Sequence, residues 1–317
     1  MVKRTLKLEG EAARGTVVSA QVLRDLLDAV IDGSRRAVRL RAQGSSSVRG
    51  PTPGWITAST NFDVEIGEGS TTLELSAPRL EEADPERFSQ RELFSGLDPA
   101  RPSVDYFFES VGAAMAAEGD DEKTSELYDR SFLHALRERL QPIFDHGIDS
   151  VSTEESPRHG SLVITAGVFS AFERLEQRIP DPQRVRLAGK LDTIAHSDRT
   201  LTLLVGDQSE RVRGSLPEGL LNEAQQFWGH TVVVSGMAHF TSSARIQVID
   251  VDLLHEASSR DTEFFGEVPA PLDVPELSST SDLRIPQGPR SGLSAVIGSW
   301  PGDEDDEEVI AALEELS

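Results

Sequence analysis

Between Gln183 and Leu254 the chain reads QRVRLAGKLDTIA (183–195), RTLTLLV (199–205), ERVRGSLP (210–217), TVVVSGMAHF (231–240) and ARIQVIDVDLL (244–254), and this stretch decides the fold. In the first segment Val185 and Leu187 alternate with Arg184 and Arg186. Successive side chains of a strand point to opposite faces, so such alternation buries one face and solvates the other. Between the segments stand His196–Ser197–Asp198, GDQS (206–209) and TSS (241–243), whose residues favour turns. A helical pattern around Leu220 to Phe227 interrupts the series before its fourth member. Five short strands joined by tight turns, with one helix, predict a small closed barrel.

The order of three strands, a helix and two strands resembles the OB-fold. That likeness implies a nucleic-acid-binding face, for which Arg184, Arg186, Arg211 and Arg213 are the candidates, with Lys190 and Arg199 close by. OB-type binders pair a basic groove with aromatic side chains on which bases stack. Here the aromatics are Phe227, Trp228 and Phe240, and acids slightly outnumber bases across the barrel. Nucleic-acid binding through the barrel is therefore the alternative reading, and outward arginines on solvated strands are the simpler one.

Upstream, Thr5 to Glu9 reads as a strand, and Ser19 is placed to cap a helix over Gln21 to Asp32 that Gly33 ends. Val22, Leu23, Leu26, Leu27, Val30 and Ile31 give that helix one apolar face. Ala37 to Ala42 reads as the next strand, and the Gly-, Ser- and Pro-rich segment 44–54 as a loop. Trp55 to Ile66 and Thr71 to Ser76 read as strands joined by the GEGS turn. Helices are expected at Pro85–Phe94, Val104–Ala117 and Ser125–Phe144, then a strand at Ser161–Thr165 and a helix near Val168–Gln177. Clustered strands followed by clustered helices predict an α+β domain.

Residue types that carry chemistry are present without the spacing that chemistry needs. His196, Ser197 and Asp198 are neighbours in a turn, whereas hydrolase triads converge from separate elements. The seven histidines are scattered without an HExxH pair, and no cysteine is available as nucleophile, metal ligand or disulfide. Asp250 and Asp252 share one face of the last strand and read as solvated. The GDDE run, Gly119 to Glu122, lacks the ligand spacing of a calcium loop, and GEGS lacks the rest of a phosphate-binding glycine motif. The expectation is a non-enzymatic protein that needs no cofactor.

After the barrel, prolines 269, 271, 275, 286 and 289 stand among Ser, Asp and Glu and predict a disordered linker over 257–290. The chain then ends in LSAVIGSWPGDEDDEEVIAALEELS, and residues 291–317 carry eight acids and no base. Gly298, Ser299, Trp300, Pro301, Gly302 and the acids Asp303 to Glu308, with Leu313 and the closing Glu314–Ser317, resemble the tail of small bacterial proteins that accompany PIN-domain ribonuclease toxins. The usual form of that tail is GxWPGDETDEE, and Asp305 stands here where Thr is common. The resemblance covers about the last 20 residues and implies an antitoxin-like tail that captures a protein partner such as a PIN-domain toxin. Trp300 would be the buried anchor and Pro301 would shape the turn. Asp303 and Glu304 would meet basic groups, while Ile310, Leu313 and Leu316 would form the apolar side of a short helix.

The expected architecture is thus α+β. A mixed domain (1–180) precedes a five-stranded OB-like barrel (183–256), a Pro/Ser-rich linker (257–290) and an acidic partner-binding tail (291–317). A net charge of −23 repels polyanions at long range, although Met1 to Thr60 carries ten Lys or Arg against five Asp or Glu. No apolar run approaches the roughly 20 residues a membrane span needs, so no membrane contact and a cytoplasmic location are expected.

Overall fold

The computed structural model describes residues 1–15, 17–47, 52–67, 71–89, 96–117, 125–156 and 160–272. By contacts the chain divides into a body, Met1–Pro271, and a second unit, Leu272–Ser317. The linker and tail expectations beyond Leu272 lie outside the described residues.

The body begins with β1 (Val2–Gly10), a hairpin of β2 (Ala13–Arg14) and β3 (Val17–Val18), and helix α1 (Ala20–Gln43). Next come α2 (Gly54–Ser59), β4 (Asp63–Ile66), β5 (Thr72–Ala77), α3 (Leu80–Ala83), α4 (Pro85–Ser89) and α5 (Ser103–Ala116). A 3-10 turn at Ser125–Leu127 leads into α6 (Arg130–Asp145), β6 (Ile148–Thr153), β7 (Val163–Thr165) and α7 (Phe169–Arg178). β1 lies between β5 and β6, with β4 and β7 outside them, and every pairing is antiparallel. Leu6, Leu8, Leu73, Leu75 and Val151 point to one face, which α1, α5, α6 and α7 help to cover. Lys3, Lys7, Glu9 and Glu74 stand on the other face, where Lys3 pairs with Glu74 and Lys7 with Glu9.

Three expectations, the Gly33 stop and the strands at Ala37–Ala42 and from Trp55, fail in this region, and one strand is unforeseen, each for a physical reason. Gly33 does not end α1: the helix runs on through Ala37–Ala42, so the strand expected there is its last turns. Gly33 is a packing notch, since a Cβ at that position would lie 2.3 Å from the Phe107 ring of α5. The true stop is Gly44, at φ 82°, whose N–H donates to the Leu40 carbonyl at 2.8 Å. Trp55–Ser59 forms helix rather than strand. The Pro53 carbonyl accepts the Ile56 and Thr57 N–H groups, and burial of Trp55 and Ile56 overrides their strand propensity. β6 escapes the reading because a register shift at Glu9/Gly10 of β1 buries both Ile148 and Val151, three residues apart, and breaks the period of two.

The barrel follows the expected order: β8 (Gln183–Ala195), β9 (Thr200–Val205), β10 (Glu210–Ser215), α8 (Glu218–Gln226), β11 (Thr231–Phe240) and β12 (Ile246–Glu256). It closes as β8-β9-β10-β12-β11-β8, with β10 and β12 parallel. Counted within the barrel this is strand order 1-2-3-5-4-1, that of the five-stranded OB barrel. Leu187, Leu203, Val212, Val234, Phe240 and Val251 fill the interior, and α8 contributes Leu221 and Ala224. This core is separate from that of the open sheet. Among the described residues after Ala257, expected to be unstructured, Ser259–Phe265 forms helix α9, started by a Ser258/Asp261 capping box.

Candidate functional site

The turn His196–Asp198 joins β8 to β9, as its residues suggested, but Asp198 does more than turn the chain. It is buried, and Nη2 of Arg87 from α4 reaches both of its carboxylate oxygens at 2.6 Å. Its carbonyl accepts Nε2 of Gln43, the last residue of α1, at 2.9 Å. Arg87 in turn lies 4.4 Å above the Trp55 ring, a placement that favours a cation. On the loop between β11 and β12, Ser242 lies 3.3 Å from the Tyr128 hydroxyl. The two barrel loops that border the OB ligand face are therefore both held by the helical layer.

Between that layer and the barrel opens a cleft of about 720 Å³, within the roughly 300–1,000 Å³ range of ligand pockets. Its floor is the outer face of β8, β9 and β10. Cα pairing sets Thr193 opposite Thr202, and Thr202 opposite Arg213, so two hydroxyls and a guanidinium form one row across three strands. The next outward row is Lys190, Leu204 and Arg211. Arg41, Arg87 and Arg245 bring further cations to the wall, and Glu126, Asp192, Asp198 and Glu210 bring acids.

The pairing of these charges is uneven. Arg87 pairs closely with Asp198 through Nη2, although its buried Nε lacks an acceptor among the described residues, whereas Arg211 meets Asp192 at 3.8 Å and Arg245 meets Glu210 at 4.0 Å, both with exposed guanidiniums. Arg41 is 3.4 Å from Glu109, yet its buried Nε and Nη2 lack a hydrogen-bond acceptor among the described residues. Arg213 has no ion pair with a described carboxylate, and its hydrogen bond to the Arg41 carbonyl is long, at 3.4 Å. Burial holds the Arg41 and Arg213 guanidiniums below their ordinary range. Guanidiniums remain charged under such shifts, so the cleft holds cations that are poorly hydrated and incompletely compensated.

The six basic residues read from the sequence separate into groups. Lys190, Arg211 and Arg213 share the β8–β10 face, and Arg199, at φ 54°, lies half-buried in the turn beside Asp198. Arg184 and Arg186 sit far along β8 opposite β11, where Arg184 pairs with Asp252 at 2.5 Å and Arg186 stacks near Phe265 of α9. Of the aromatics, Phe240 is inside the barrel and Phe227 packs against its core, but Trp228 is 66% exposed. Its indole N–H donates to the Asp192 carbonyl at 3.0 Å. The contributions of Arg41, Arg87 and Arg245 were not visible in the sequence, since they come from elements separated along the chain.

Elsewhere on the outer face, Asp250 meets His239 at 3.1 Å. Among the described residues no three acids, histidines or cysteines are grouped to hold a metal ion, and no helix is long and apolar enough to cross a membrane. The tail candidates Trp300, Pro301, Asp303, Glu304, Ile310, Leu313 and Leu316 lie outside the described residues. No family model, curated protein or solved structure matches this chain.

Proposed function

We propose that this protein is a non-enzymatic, antitoxin-like regulator that captures a protein partner, a PIN-domain ribonuclease, through its acidic C-terminal tail. The observation that carries this reading is the run Gly298–Glu308, GSWPGDEDDEE, followed by an amphipathic end. A helix of about ten residues draws its stability from packing rather than from propensity, so docking in a partner's groove suits this segment. Docking buries Trp300, Ile310, Leu313 and Leu316, and the acids at the helix start favour its positive end and steer the tail to basic surfaces. The deciding experiment compares the full chain with a chain ending at Arg290 for recovery of PIN-domain ribonucleases from the native host. The tail-less chain is expected to lose the partner, and Trp300→Ala to weaken binding about 30-fold, equivalent to about 2 kcal/mol. Equal recovery by both chains sinks the reading.

A second reading, nucleic-acid binding through the barrel, is favoured by the cleft's position. OB barrels take oligonucleotides on the face of their second and third strands, between the loops joining strands 1 to 2 and 4 to 5. Here that face is β9 and β10, and both loops border the cleft.

A further inference from the structure

We infer that a phosphate-bearing single strand crosses the barrel from Trp228 over β8 and β9 to Arg213, with Arg213, Thr202 and Thr193 holding a phosphate and Trp228 stacking a base. This rests on the second reading above, and adds to it a path, a direction across the strands and a set of residues.

Trp228 belongs to this face because its segment runs beside β8: the Gly229 N–H donates to the Leu191 carbonyl, and the Leu191 N–H to the His230 carbonyl, each at 2.9 Å. From the Trp228 segment to β10 there are three strand spacings, about 14 Å. That distance suits the short end of the roughly 4–16 nucleotides an OB barrel engages. At one end of the path a Trp that is 66% exposed is held in place by its indole hydrogen bond. A large aromatic kept rigid yet open offers a face on which any base can stack. At the other end is a desolvated guanidinium with no described carboxylate in ion-pair contact, in line with two threonine hydroxyls. Glu126 and Asp198 act on this guanidinium only from beyond ion-pair distance, and a phosphodiester supplies oxygens in direct contact, in the charge-assisted geometry guanidinium favours. Arg211 shares β10 with Arg213, and its side chain reaches back toward the Trp228 end, where Asp192, whose carbonyl fixes Trp228, holds it loosely through its carboxylate.

Among the described residues no aromatic lines the cleft, and Trp228 stands at its margin beside Asp192, so we expect binding that is tolerant of sequence. Arg184 and Arg186 are off the path, being engaged with Asp252 and with α9.

The test is titration of fluorescein-labelled deca-thymidylate with the full chain at about 50 and 150 mM salt, followed by anisotropy. Trp228→Ala, whose side chain is exposed, is expected to weaken binding between about 5- and 150-fold, the range of one lost base stack. Arg211→Gln is expected to reduce the slope of log affinity against log salt by about 0.7, the share of one phosphate on a single strand. Thr202→Val, which keeps the shape, is expected to weaken binding, while Arg184→Gln is expected to leave it unchanged. If wild type binds and Trp228→Ala, Arg211→Gln and Thr202→Val do not differ from it, the path is wrong while the barrel reading stands. If wild type does not bind the strand at 50 mM salt, both fail. Thymidine monophosphate binding as tightly as the decamer means a free-nucleotide site and overturns the strand.

Discussion

The open sheet around β1 and the closed barrel are both built mainly from antiparallel pairs, yet they bury their apolar faces in opposite ways. The barrel covers itself: its interior is filled by its own strands, which follow one another locally, and by α8. The open sheet leaves Lys3, Lys7, Glu9 and Glu74 on one face and depends on helices for the other. Those helices arrive from α1 at residue 20 to α7 ending at residue 178. A self-covering layer has its stability distributed along its strands, whereas a layer roofed by remote helices concentrates it at helix crossings and at the joint with its neighbour.

The largest effect is therefore expected at the joint. Arg87 and Asp198 are 11% and 10% exposed, so Arg87→Ala leaves a carboxylate buried without its partner. Loss of one member of such a pair costs about 3–5 kcal/mol. Urea unfolding followed by far-UV circular dichroism and by amide exchange on β9 and α1 is expected to show both regions lose stability together. A cost under about 1 kcal/mol, or a loss confined to one region, would mean that the joint does not couple them. Adding Asp198→Ala to Arg87→Ala is expected to restore part of the loss.

Next in size is Gly33→Val, which places a branched side chain against the Phe107 ring at the crossing of α1 and α5. Overpacking of this kind costs about 1–3 kcal/mol, and the denaturation midpoint is expected to fall accordingly. An unchanged midpoint would show that the crossing adjusts freely.

The smallest effect comes from a helical glycine in the barrel. Gly219, in the first turn of α8, has nothing within 4 Å of an added Cβ. Gly219→Ala is expected to stabilise by about 0.4–1 kcal/mol, chiefly by restricting the unfolded chain. If instead it destabilises, α8 is packed more tightly than its surroundings indicate.

The same contrast explains what could be read from the chain. Barrel strands were legible because each side of the alternation, such as Val185 and Leu187 against Arg184 and Arg186, lies on one face of one strand, and because turns such as Gly206–Ser209 punctuate it. In the helical layer the signals were misleading for want of long-range information. Gly33 carries a stop signal locally, but its reason lies 74 positions away in Phe107. Alternating Arg36 to Arg41 imitates a strand, and only the continuation of α1 decides against it. The candidate site was half legible. Arg211 and Arg213 follow from strand alternation, while Arg41 lies in a stretch whose local pattern imitates a strand and Asp198 in one whose residues signal only a turn. The Ser258/Asp261 box was present in the chain, four residues read as linker because prolines follow them.

The burial of Asp198 also sets where this body tolerates added length. In many proteins a β-hairpin tip is free to accept inserted residues, because it is solvated and makes no distant contacts. The β8–β9 tip is not such a place. Its carboxylate and carbonyl are held by Arg87 and Gln43, so even one extra residue moves both acceptors from their donors. The neighbouring tip at Gly206–Ser209, between β9 and β10, is exposed at all four residues. An epitope, a fluorophore peptide or a circular-permutation break belongs there, and of two hairpin ends on the same barrel only that one is a free end in the architectural sense.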